Sequence, residues 1–181
     1  MTECLIRTKL KKNIPNKIHI IGSVGSGKTT LARVLSIKLN IPFYELDNVV
    51  WIRQKNGDVR RSEEERDKYL NTIINNESWI IEGVHNDAWV SDSIENAELI
   101  IFLDINYSVR TYRIVKRFFL QKLGLEKSHY KPTFKIFLKM FKWNRHFEQV
   151  GKPNFHNKFG IYSNKILVIS NKSEAKRFLN I

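Results

Sequence analysis

Cysteine is nearly absent from these 181 residues: Cys4 stands alone, so no internal disulfide can form. No Cys/His cluster has zinc-ligand spacing either, which points to a reducing compartment. Long hydrophobic runs are missing, all falling far short of the roughly 20 apolar residues a membrane span needs. Leu5 and Ile6 run straight into Arg7, Lys9, Lys11 and Lys12, which is not a signal-peptide pattern. The expectation is a soluble cytoplasmic protein of one domain with no membrane span. A chain of this size buries about two-thirds of its unfolded surface without covalent staples. Internal repeats and low-complexity tracts are absent as well.

Acidic residues are scarce in one place. The net charge is +13, and between Arg110 and Gly160 the only acids facing 13 Lys or Arg are Glu126 and Glu148. The same window holds 11 of the 21 aromatic residues. An anionic partner is expected there, whether substrate phosphate, nucleic acid or membrane surface, against the plainer reading of a solvated basic face. Phe134, Phe137, Leu138 and Phe141 share one helical face, which reads as an insertion helix packing on the domain. Docking to a membrane surface or a calmodulin-like partner is the sharper alternative.

What is present alternates between two periods. Lys17 to Ile21 is a β-branched run ending at Gly22, hence a buried strand. Leu31, Val34, Leu35 and Leu39 then recur at helical spacing until Asn40, and Pro42 stops the helix. Pro42 to Leu46 reads as a second strand ending at Asp47. Ser62 and Glu65 form a capping box for a helix to about Asn75. Trp79 to Glu82, Glu98 to Asp104 and Lys165 to Ser170 are three further strands, with a terminal helix through Phe178. Apolar strands alternating with helices predict an α/β fold with a parallel sheet covered on both faces. Residues 1–16 read as a basic extension, and residues 17–181 as the domain.

The chemistry is concentrated in Gly22-Ser23-Val24-Gly25-Ser26-Gly27-Lys28-Thr29, which matches G-x-x-x-x-G-K-[ST] at every fixed position. Glycines let consecutive backbone N–H groups converge on phosphate oxygens, and the following helix adds its positive end. Lys28 is expected to reach the terminal phosphates of ATP, and the Thr29 hydroxyl to ligate Mg2+. Thr30 continues the nucleotide-binding segment. The loop follows a strand and opens a helix, which is the context the motif requires.

The string I-H-I-I-G-S-V-G-S-G-K-T-T-L-A-R, followed by Y-E-L-D-N-V-V-W, W-I-I-E-G and I-I-F-L-D, resembles the adenylate-kinase-related P-loop proteins often labelled DNA topology-modulation proteins. The resemblance covers roughly residues 17–181. It implies a P-loop three-layer sandwich of the nucleoside-kinase type, five parallel strands in the order 2-3-1-4-5, and a lid at about 118–150 before the last strand. Adenylate kinases follow the lysine with Gly-Thr-Gln, whereas this chain has Thr29-Thr30-Leu31. They carry Asp-Gly-Phe-Pro-Arg after the third strand, whereas this chain has Glu82-Gly83-Val84-His85-Asn86. The usual nucleoside-monophosphate grip is therefore not visible, which argues against AMP as acceptor.

Asp47 ends the second strand, at the edge where ligands of such sheets collect. In shikimate- and uridine-kinase-like proteins an aspartate at a similar place touches the acceptor hydroxyl, a role competing here with that of a turn or cap. Trp51 is near enough to supply an apolar pocket wall. Glu82 matches the acidic residue that helps hold Mg2+ in adenylate-kinase-like enzymes. Asp104 is the alternative for that role, against a cap before Ser108 and Val109. Arg113 and Arg117, four apart on one helical face, match the arginines that grip phosphates beside the lid of similar kinases. Arg110 is close enough to be confused with them, Arg145 is a weaker candidate, and His85 is a lone histidine in the same loop region.

Three functions compete. The first is a kinase moving the γ-phosphoryl of ATP to a small-molecule acceptor, with Lys28, Asp47, Arg113 and Arg117 catalytic and Thr29 and Glu82 on the metal. The second is a nucleic-acid-associated NTPase using the basic aromatic window. The third is a degenerate P-loop protein that binds nucleotide for stability or as an ATP-dependent regulatory module. A monomer or a homodimer is expected.

Overall fold

Parallel strands with no polar face need helices on both sides, and the chain supplies them. The computed structural model describes residues 15–54, 57–125 and 133–179. Strand β1 (Lys17–Gly22) leads into helix α1 (Lys28–Leu39), whose end is capped by Asn40 in the left-handed conformation. A short β2 (Phe43–Glu45) passes directly into helix α2 (Leu46–Val50). A small antiparallel hairpin follows, β3 (Trp51–Ile52) with β4 (Val59–Arg60). Helix α3 (Glu63–Ile74) begins with the expected capping box, Ser62 and Glu65 each bonding the other's backbone N–H. Then come β5 (Trp79–Gly83), helix α4 (Ser91–Glu95) and β6 (Leu99–Leu103). Helices α5 (Tyr107–Lys122), α6 (Phe134–His146) and α7 (Lys152–Phe159) fill the interval before β7 (Ile166–Ile169) and the last helix, α8 (Lys172–Leu179).

The main sheet runs β2-β5-β1-β6-β7, all pairs parallel. Counting only its own five strands, that is the order 2-3-1-4-5. Alternate residues of each strand face opposite layers. Ile18 and Ile20 of β1, Ile80 of β5 and Leu99, Ile101 and Leu103 of β6 pack with Leu31, Ala32 and Leu35 of α1 and Phe178 of α8. Ile21, Trp79, Ile81, Ile100 and Phe102 pack on the other side against α2, α3, α4 and α7. The wholly buried Trp79 donates its ring N–H to the Ile74 carbonyl.

Asp47 does not end a strand, as the sequence suggested. The strand stops at Glu45, and Asp47 lies in the first turn of α2. The cause is burial: Leu46, Val49 and Val50 sit at i, i+3 and i+4 and all enter the core, which an extended chain cannot arrange. Trp51 joins the hairpin, with Arg60 over its ring, 5.9 Å from the centroid.

The basic window forms helices α5 and α6, which pack on each other. Phe118 of α5 stacks on Phe137 of α6 with ring centroids 4.3 Å apart, and Phe137 meets Phe141 edge-on at 4.9 Å. The stripe forms one helix, as the sequence suggested, and its packing partner is α5; Phe134 and Leu138 of the stripe remain exposed. Residues 126–132, inside the expected lid, and residues 1–14 of the extension lie outside the described residues. No helix among the described residues is long and apolar enough to cross a membrane.

One interior group ties the fold to pH. His19 of β1 is fully buried, its Nδ1 3.2 Å from the Ser93 hydroxyl, and burial pulls its pKa from 6.5 down to about 3. The folded chain therefore holds a neutral imidazole, while the unfolded chain takes up a proton below its ordinary pKa. Stability attached to this group is complete above pH 6.5 and is lost as pH falls toward 3. Between pH 6.5 and pH 5 the parent chain should lose about 1.6 kcal/mol that His19→Leu does not lose. Denaturant titrations of both chains at the two pH values measure this; equal losses would contradict it.

Candidate functional site

Strand order reverses beside β1, whose neighbours β5 and β6 lead to opposite sides of the sheet. The crevice at the strands' carboxyl ends is where such sheets bind ligands. Gly22 to Thr29 leaves β1 at that crevice, with Ile21 level with Gly83 and Gly22 level with Leu103. Gly25 has φ +75°, and a Cβ there would come 2.9 Å from the Arg110 carbonyl oxygen. Only glycine meets both demands. Helix α1 starts at Gly27 with no side-chain cap and no acid in its first turn, so its positive end remains available to an anion. Thr30, in that turn, is exposed and Val24 half-buried.

The loop is held through its carbonyls. Lys28 Nζ donates to the Ser23 carbonyl at 3.1 Å. Arg113 Nη1 donates to the Ser26 carbonyl at 2.9 Å and to that of Gly25 at 3.3 Å. The buried Ser23 hydroxyl donates to Asn144 Oδ1 at 3.1 Å, and Asn144 Nδ2 donates to Thr111 Oγ1, also at 3.1 Å. The loop is thus latched to α6, over a separation of 121 residues.

Thr29 Oγ1 donates to Glu82 Oε1 at 2.6 Å. Glu82 is only 4% exposed. Burial raises its pKa, the Lys28 charge and the Thr29 hydrogen bond oppose that rise, and Glu45 and Asp47 add to it. The two residues read from sequence as metal-side groups are therefore in direct contact, within the field of Lys28.

Across the crevice, Leu46 of α2 packs onto Gly83, where a Cβ would lie 2.6 Å from Leu46 Cδ1. That close approach brings Asp47 to the loop after β5. His85 Nε2 lies 3.9 Å from Asp47 Oδ1, and its Nδ1 lies 3.8 Å from Asp87 Oδ2. The imidazole also meets the Trp89 ring, centroids 5.2 Å apart. Burial lowers the His85 pKa first of all, with Asp47 and Asp87 opposing and Lys28 reinforcing.

Other sequence candidates go elsewhere. Arg117, one turn beyond Arg113, approaches Met140 Sδ of α6 at 3.8 Å. Arg110 is 1% exposed, paired with Glu148 and set against the Phe147 ring. Asp104 is not the cap of α5: Lys152 Nζ holds both its oxygens at 2.7 and 2.8 Å, and Asn106 caps α5 instead. Arg145 is exposed in the last turn of α6. His85 gains two acidic neighbours that its place in the sequence did not promise, although Asp87 stands only two residues away. Asn144 had no local signal at all.

The sequence matches the AAA domain family over residues 18–118. The chain belongs to this family. The matched stretch runs from β1 to Phe118 in α5 and contains the loop, Asp47, Glu82, His85 and both Arg113 and Arg117. No curated protein matches the sequence. Among solved structures, a shikimate kinase from Acinetobacter baumannii in complex with shikimate shares 16% identity over 96% of this chain and 93% of its own, with a TM-score of 0.57. A shikimate kinase from Bacteroides thetaiotaomicron shares 16% over 90% and 93%, with a TM-score of 0.52. An unliganded sugar kinase from a Janibacter species shares 16% over 90% and 89%, with a TM-score of 0.50. At such identities the likeness establishes the fold.

Within the AAA domain, Gly25→Ala should destabilise the chain by about 2 kcal/mol or more, from the left-handed backbone and the clash with Arg110. Chemical denaturation checks this; an unchanged midpoint would contradict the loop geometry.

Proposed function

We propose that this protein moves the γ-phosphoryl of ATP to a hydroxyl of a small-molecule acceptor. The observation that carries the reading is the contact of Thr29 with the buried Glu82 beside Lys28, facing Asp47 across the same crevice. A fold shared with proteins named shikimate kinase and sugar kinase supports it.

In this reading the Lys28 ammonium exchanges the Ser23 carbonyl for phosphate oxygens, and the backbone of Gly22 to Thr30 wraps the phosphate chain. Thr29 and Glu82 fit Mg2+, being a hydroxyl and a carboxylate already in contact, both hard oxygen donors that leave room for phosphate oxygens and water. When bound, the ion would neutralise charge shared between the β- and γ-phosphates. Asp47 orients the acceptor hydroxyl and takes its proton while the new P–O bond forms and the bond to the β-phosphate oxygen breaks. We assign Arg113 and Arg117 to the charge on the moving group, guanidinium staying ionised throughout. The hold of Arg113 on the Gly25 and Ser26 carbonyls supports its half of that assignment. We further read residues 17–181 as one catalytic domain, with residues about 118–150 covering the phosphate site. The bond from Ser23 to Asn144 supports that cover.

Mg·ATP at about a hundred times its Kd should stabilise the chain by about 2.7 kcal/mol. Lys28→Ala should abolish most of this, and unchanged affinity by calorimetry would contradict the assignment. Asp47→Asn should keep the nucleotide-induced shift while lowering acceptor phosphorylation about 10²-fold. A loss confined to ATP binding would remove Asp47 from the acceptor side.

A further inference from the structure

The gap between His85 and Asp47 is too long for a hydrogen bond and too short to be empty of meaning. The 3.9 Å between His85 Nε2 and Asp47 Oδ1 sets two acceptors side by side, each open to a donor at an ordinary hydrogen-bond distance of about 2.8 Å. Asp87 Oδ2 lies 3.8 Å from the other imidazole nitrogen, and the Trp89 ring meets the imidazole with centroids 5.2 Å apart. The imidazole edge toward Asp47 is therefore oriented from behind, as a group that receives a ligand must be.

The charge around this edge selects the ligand. Glu45, Asp47 and Asp87 have no Lys or Arg partner among the described residues. Every described arginine between β2 and the 3-10 turn Ala88–Val90 is already engaged. Arg53 pairs with Asp58 and bonds Asn48. Arg60 covers Trp51. Arg61 donates to the Asn48 and Val49 carbonyls at 2.7 and 3.0 Å. Arg66 bonds Asp67 and lies over Trp89, 4.6 Å from the ring centroid. The unpaired carboxylates of Glu45, Asp47 and Asp87 set a negative field at this edge that disfavours a carboxylate or a phosphate monoester there. A hollow of about 440 Å³ adjoins Asp87, lined also by Asn86, Asn154, Asn157 and Lys158. Its one lysine is directed at the Asn86 carbonyl, 3.4 Å away. Amides and a carboxylate suit hydroxyl and ammonium groups.

We propose that His85 and Asp47 together clamp two neighbouring hydrogen-bond donors of the acceptor, the reacting hydroxyl and a second hydroxyl or an amine, and that the acceptor is a polyhydroxylated molecule, uncharged or bearing an amine, without an anionic group. This deepens the kinase reading and rests on it. The reacting hydroxyl donates its hydrogen to Asp47, to which its proton passes as the P–O bond forms and the bond to the β-phosphate oxygen breaks; Asp87 keeps the imidazole proton on Nδ1, so Nε2 accepts from the neighbouring hydroxyl or amine.

The test uses the full chain with Mg·ATP and four acceptor classes. They are neutral alcohols (glucose, inositol), hydroxylated amines (glucosamine, serinol), hydroxy acids (gluconate, shikimate) and phosphate esters (glucose 6-phosphate, AMP). Phosphoryl acceptance confined to the first two classes is expected, with kcat/KM at least about 10-fold above any anion. Equal or better acceptance by a hydroxy acid or a phosphate ester would overturn the proposal. So would acceptance of none by a chain that still binds Mg·ATP. Calorimetry with the same probes and no nucleotide reads the clamp separately, so a chain that binds glucosamine but not Mg·ATP would refute the kinase reading alone. His85→Gln, which keeps an amide near the Nε2 position, should retain more turnover than His85→Asn, which keeps one near Nδ1. Both should leave the Kd for ATP and the thermal midpoint unchanged. Equal losses in the two variants, or a loss of stability that tracks them, would make His85 structural.

Discussion

A carboxylate that is almost inaccessible to water must have a partner, and Glu82 near the end of the interior strand β5 is such a group. Burying it unpaired would cost several kcal/mol or drive it to the neutral form. Thr29 supplies the hydrogen bond and Lys28 the nearest positive charge, and both come from the first turn of α1. The phosphate loop, the start of α1 and the edge of β5 are thereby fixed to one another before any ligand arrives. The acids opposite, Glu45 and Asp47, push Glu82 toward protonation, so further positive charge at this point would relieve a tension the fold maintains.

That tension explains the direction of the contacts made by the surrounding cations. Lys28 and Arg113 both point at loop carbonyls, groups with the same polarity as phosphate oxygens. The loop is kept open in shape by interactions that an anion can replace one for one. Asn144 extends the arrangement to α6 through the Ser23 hydroxyl, so the helix pair α5 and α6 and the phosphate loop move as neighbours.

What could be read from the sequence was local. The G-x-x-x-x-G-K-[ST] string and the capping box at Ser62 each place their donors and acceptors within a few residues, and both fold as written. The five strands were legible because parallel strands are apolar throughout. Asp47 was misplaced because the apolar run from Pro42 to Leu46 reads as a strand reaching Asp47, whereas burial of Leu46, Val49 and Val50 on one helical face turns the chain into α2 directly after Glu45. Lys152 with Asp104 and Arg110 with Glu148 are pairings across 48 and 38 residues, and no spacing rule predicts them. Each also subtracts from the free charge of the basic window, which counting residues overstates. His85 was undervalued for the same reason: one of its two carboxylates arrives on α2, from 38 positions earlier in the chain.

The central claim is transfer of a phosphoryl group to an organic hydroxyl rather than to water. ³¹P NMR of the chain with Mg·ATP and a mixture of polyhydroxylated acceptors distinguishes the two. The account predicts that ADP appears together with a phosphate monoester resonance in equal amount. ADP accompanied only by inorganic phosphate, or ATP left intact by a chain that binds it, would contradict the account.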